Sequence, residues 1–141
     1  MKNLLILTIL LSFSACEKHQ IEKIEERDLV GEWGTESIQL IDINGNEIDH
    51  ETMAGSYLRL SDDKTFILNY VGGTWSVDDR KLMVKNQLTD LSFSFNYRIM
   101  DVNDESLVLK IEDVNSENAH HPLKGIDDNL QSIVETFKKI E

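Results

Sequence analysis

The sequence predicts an all-β fold: a small antiparallel up-and-down barrel of seven or eight strands, followed by a C-terminal amphipathic helix. Three observations carry that expectation. Between residues 29 and 112, short runs alternate apolar and polar side chains, the period of a strand with one buried face. Turn-forming clusters separate these runs. No helical segment stands among them, so the crossovers a parallel sheet requires are not provided.

The clearest strand covers 92–100. Phe93, Phe95, Tyr97 and Ile99 fall on one side, and Ser92, Ser94, Asn96 and Arg98 on the other. Leu107, Leu109 and Ile111 alternate in the next strand, Leu82 and Val84 in an earlier one, and Leu58 and Leu60 before that. Residues 65–71 are rich in β-formers but apolar on both faces; Leu68 and Tyr70 are the candidate inward positions there. Asn44-Gly45 is a hairpin signal, because a type I′ turn needs positive φ at both central residues. Asp62-Asp63-Lys64, Asp78-Asp79-Arg80-Lys81 and Asp101-Val102-Asn103-Asp104 mark further turns. After a polar stretch at 113–125, Asp127-Asp128-Asn129 offers helix N-cap chemistry. Leu130, Ile133, Val134, Phe137 and Ile140 then share one face at helical spacing, with Lys138 and Lys139 in the last turn.

The first fifteen residues differ in character from the rest. Lys2 precedes an apolar run at 4–11 (LLILTILL), and Ser12-Phe13-Ser14-Ala15 closes it with small residues. This is the layout of a secretory signal peptide, and the run is shorter than the roughly 20 residues a membrane-spanning helix needs. Cys16 follows directly and is the one cysteine of the chain, so it has no disulfide partner within it. Ser14-Ala15-Cys16 after an apolar run resembles the bacterial lipobox, in which the cysteine is acylated. Two or more acyl chains give a stable anchor where one does not. The expected organisation is therefore a signal peptide at 1–15, a lipid anchor and charged tether at 16–28, and a barrel domain at 29–141. The expected location is the bacterial cell envelope, at the outer membrane.

The net charge of −12 and the lack of a basic patch argue against nucleic-acid binding. At 40% hydrophobic residues the composition is that of a folded domain.

Gly31-Glu32-Trp33 opens the first strand, and Gly73-Thr74-Trp75 supplies a second glycine–tryptophan segment. With the lipobox, the Asp-Asp-Lys turn before Thr65-Phe66 and the late Leu107-Val108-Leu109-Lys110, the chain resembles the lipocalin-like lipoproteins of the Bacteroidota. The resemblance spans 29–111. It implies that Trp33 plugs the closed end of the barrel under a basic cap, for which Lys110 and Arg98 are candidates. It also implies a small hydrophobic ligand.

The sequence gives no reason to expect an enzyme, a cofactor or a metal. The paired aspartates sit at turns and a helix cap, whereas glycoside hydrolysis needs two carboxylates held across a cleft. Residues 101–112 begin like a calcium loop but carry Ser106 where glycine is required. Adjacent His120 and His121 point apart and lack a third ligand at suitable spacing. Two functions remain open. One is a barrel that binds a small apolar ligand through Leu68, Tyr70, Phe93, Phe95 and Tyr97. The other is a surface or periplasmic protein-interaction module whose barrel is filled by its own side chains.

Overall fold

The structure is a computed structural model that describes residues 23–49, 55–86, 94–114 and 127–140. The signal segment, Cys16, Phe93, His120 and His121 lie outside the described residues.

One helical turn, α1 (Glu26–Leu29), precedes nine strands: β1 (Gly31–Asp42), β2 (Glu47–Ile48), β3 (Tyr57–Leu60), β4 (Thr65–Leu68), β5 (Val71–Asp78), β6 (Lys81–Asn86), β7 (Ser94–Val102), β8 (Ser106–Ile111) and β9 (Leu130–Lys139). Every pairing is antiparallel. Strands β1 and β3–β9 pair in sequence order, and β9 returns to β1, so eight strands close on themselves while β2 hangs on the far half of β1. Closure pairs the first strand of the sheet with the last, which removes the two free edges of an open sheet.

The C-terminal helix is a correction. Residues 130–139 form β9, the strand that closes the barrel between β8 and β1. Asp127 Oδ1 accepts the Asn129 amide at 2.7 Å, a turn leading into a strand and not a helix cap. A helix here would leave β1 and β8 as open edges, and Ile133-Val134, Thr136 and Phe137 suit a pleated surface.

The two ends of the barrel differ. At one end the connections β3–β4, β5–β6 and β7–β8 are tight turns. Lys64 (φ 67°) and Asp79 (φ 54°) take left-handed backbone there, and Asn103 Oδ1 accepts the amides of Glu105 and Ser106, each at 2.9 Å. The calcium-like segment is thus a hairpin turn. At the other end β6 and β8 finish, β3, β7 and β9 begin, and the short turn at Asn69-Tyr70 joins β4 to β5.

Side chains fill the closed end. Trp33, Leu60, Phe66, Leu82, Ile99, Leu107 and Phe137 are all at most 1% exposed. Trp33 stands over α1, and its Nε1–H donates to the Leu29 carbonyl at 3.0 Å. The basic side chain on the Trp33 ring is Lys139, 5.2 Å from the ring centroid. Arg98 and Lys110, the candidates from sequence, point outward and pair with Glu112, each at 3.5 Å. Gly31 makes the stacking possible: a Cβ there would lie 3.0 Å from Lys139 Cε, in the path of the lysine stem. Trp75 is built alike, with Nε1–H donating to the Ser61 carbonyl at 3.0 Å and Lys64 Nζ 4.4 Å over the ring. Gly73 has a separate reason to be glycine. A Cβ there would lie 2.1 Å from the Lys85 carbonyl oxygen and 2.7 Å from the Phe66 ring.

Candidate functional site

Register decides which side chains reach the open half of the interior, because directly paired residues of an antiparallel ladder share a face. From β4 comes Leu68, opposite Leu58 and Val71; from β7 comes Phe95, opposite Val84. From β1 come Ile38 and Leu40, opposite Glu135 and Ile133 of β9. Leu40 and Ile133 are sealed, but Ile38, Leu68, Phe95 and Glu135 point inward and remain partly exposed. Among the described residues, the inward side chains of the open half are therefore less completely covered than those of the closed half.

The positions chosen from sequence separate on this frame. Leu68, Phe95 and Tyr97 face the interior, with Tyr97 only 6% exposed and its ring centroid 6.3 Å from that of Phe95. Tyr70 sits at the tip of the β4–β5 turn with its ring wholly in solvent (102%), so it belongs to the rim. Ile43, at the tip of the β1–β2 turn, is a second exposed apolar side chain on that rim.

Glu135 went unnoticed in the sequence. It stands in one inward-facing rung, Ile99–Leu109–Glu135–Ile38, in which the other three members are aliphatic. A β-bulge in β1 at Glu36 lets Thr35 and Ile38 both face inward. Thr35 Oγ1 lies 2.5 Å from Glu135 Oε1, accepts the Ser56 amide at 2.6 Å and sits 3.0 Å from the Ser56 carbonyl oxygen. The Ser56 side chain also bonds the carboxyl. Burial pushes the Glu135 carboxyl above the usual glutamate range, and the Thr35 and Ser56 hydroxyls pull it partly back. Burial, and secondarily the Glu135 charge, also raises the Tyr97 phenol far above its ordinary value.

The β1–β3 ladder ends beside this carboxyl. Pairing of β1 with β3 ends at Gly34–Tyr57, with one further bond from the Thr35 amide to the Ser56 carbonyl at 3.0 Å. Beyond that point β1 pairs, among the described residues, with β9 and β2.

On the outer wall, Lys81, Arg98 and Lys110 align directly across β6, β7 and β8 beside a shallow groove. Like charges in one rung repel, and Glu112 offsets two of them. Among the described residues no three histidine, cysteine or acidic side chains converge as metal ligands would. Comparison of the chain with protein-family models, curated proteins and solved structures finds no match.

Proposed function

We propose that this chain is a lipid-anchored lipoprotein of the bacterial cell envelope, at the outer membrane, whose lipocalin-like barrel binds a small apolar ligand without catalysing a reaction. The observation that carries the binding reading is the contrast between the two halves of the interior. The closed half is sealed by Trp33 and its neighbours, whereas Ile38, Leu68 and Phe95 line the open half and stay partly accessible. An eight-stranded barrel has room to hold one small ligand where its own side chains do not fill it. The anchor rests on the sequence: an apolar run of signal-peptide length, small residues, then Cys16.

Native mass spectrometry of the protein purified from its own membrane tests the binding half of the reading. A co-purifying apolar molecule at one per chain is expected, and a ligand-free spectrum from gentle extraction counts against it. Metabolic labelling with an alkyne fatty acid tests the anchor. Cys16→Ser should lose the label entirely, and retained label refutes acylation there.

A second reading, a protein-interaction module, is favoured by the rim, where Ile43 and Tyr70 present apolar surface to solvent. Crosslinking in cells from a photoreactive residue at position 70 separates the two readings, since only the module crosslinks to a protein.

A further inference from the structure

We propose that the barrel's ligand is a cationic amphiphile, an apolar chain ending in an amine, and that Glu135 holds the amine beside Thr35 and Ser56. The inference rests on the ligand-binding reading above and specifies its chemistry.

The argument begins with placement. Glu135 faces inward between Leu109 and Ile38, where an aliphatic residue would complete the rung. A carboxyl costs stability in such surroundings unless its oxygens are well supplied with donors. Among the described residues the supply is short. An ionised carboxylate has about four acceptor sites, and Thr35 and Ser56 are its hydrogen-bonding partners. Thr35 has a single hydroxyl proton and two acceptors within reach, Glu135 Oε1 and the Ser56 carbonyl oxygen. It cannot serve both at once.

Among the described residues, no cation of the neighbouring strands reaches Glu135. Lys110 is inside the same strand pair as Glu135 but points outward to Glu112. Lys139 lies over Trp33 at the closed end, and Lys138 is exposed. Glu135 faces inward and is itself partly accessible, so a ligand group can reach it. An ammonium supplies what the site lacks: three donors and a positive charge. Ile38, Leu68 and Phe95 would cover the apolar chain. The net charge of −12 attracts cations to the protein and repels anionic amphiphiles such as fatty acids.

The test compares three ligands of one chain length, octylamine, octanol and octanoate, by calorimetry on the full chain at neutral pH, with butylamine as control for surface binding. Octylamine should bind at one site, about tenfold to a hundredfold more tightly than octanol, with octanoate weakest and butylamine silent. Glu135→Gln should bring octylamine down to the octanol level. Equal affinity of octylamine and octanol in the unaltered protein overturns the role of Glu135 while leaving apolar binding intact. If none of the three binds, the ligand-binding reading itself falls. Should Glu135→Gln fail to fold, nuclear Overhauser contacts in the unaltered protein decide. Contacts from the amine's α-methylene to the Glu135 γ-methylene and the Ile38 and Leu109 methyls support the proposal. Contacts with Tyr70 and Ile43 alone overturn it.

Discussion

Truncating Trp33 should cost this barrel a large part of its stability. The residue is 0% exposed and fills the space above Leu29, and its indole N–H satisfies the Leu29 carbonyl. Replacing a buried tryptophan with alanine typically costs about 3–5 kcal/mol, and the orphaned carbonyl adds about 1 kcal/mol. A small domain has only about 5–15 kcal/mol in total. With a urea dependence of about 1–3 kcal/mol per molar, the unfolding midpoint of Trp33→Ala should fall by roughly 2–4 M. Trp33→Phe retains most of the ring and loses the hydrogen bond, so its cost should be about 1–2 kcal/mol. Tyr70→Ala serves as the exposed reference, at about 0.5 kcal/mol or less. Urea unfolding of the full chain carrying Cys16→Ser, followed by far-ultraviolet circular dichroism, measures all three. A Trp33→Ala midpoint within error of Tyr70→Ala would refute the assignment of Trp33 as the plug.

Three further outcomes are expected. Gly73→Ala drives a methyl into the Lys85 carbonyl and the Phe66 ring and should destabilise by about 1–3 kcal/mol or more, read by the same urea titration. Lys139→Met keeps the stem and removes the charge over Trp33, so it should cost about 0.5–1 kcal/mol, with a matching change in tryptophan emission. Because the folded-state pKa of Glu135 is raised, the native state binds the proton more tightly than the unfolded chain. Its contribution therefore favours folding at low pH and is lost as pH rises from the ordinary glutamate value, 4.5, through the raised one. Glu135→Gln should flatten that part of the stability–pH curve, and an unchanged slope in urea titrations across the window would contradict the burial of the carboxyl.

Much of the barrel is legible in the residues. The alternations at Leu58-Leu60, Leu82-Val84, Tyr97-Ile99 and Leu107–Ile111 all place the buried set inward. They do so because each strand has one face on the core and one on water. The Asn44-Gly45 turn is where expected but is not type I′: Gly45 takes positive φ (84°) and Asn44 does not, because Asp42 Oδ1 holds the loop by accepting the amides of Asn44 and Asn46. The C-terminal strand was misread for a physical reason. Inward positions Ile133, Glu135 and Phe137 have period two only if an acid is allowed to face the core. Scored as polar, Glu135 breaks the alternation, and Leu130, Ile133, Val134 and Phe137 are left at helical spacing. The residue that hid the strand is the one argued to contact a ligand, and local patterning rules tend to fail at such sites. The cap on Trp33 was missed along with the strand, since a lysine at the end of a helix has no reason to approach residue 33.

The chain reaches the barrel at its closed end, where α1 and the start of β1 lie beneath Trp33. Seven peptide steps separate Cys16 from Lys23, a span of roughly 25 Å at full extension. On the lipid-anchored reading, the tether would join the plugged end, so that end would be the nearer to the bilayer along the chain and the mouth the farther. A ligand entering by the mouth would then arrive from the aqueous side and not from the leaflet that carries the anchor. Ile43 and Tyr70 on the rim are then the first surface that an approaching donor or acceptor meets.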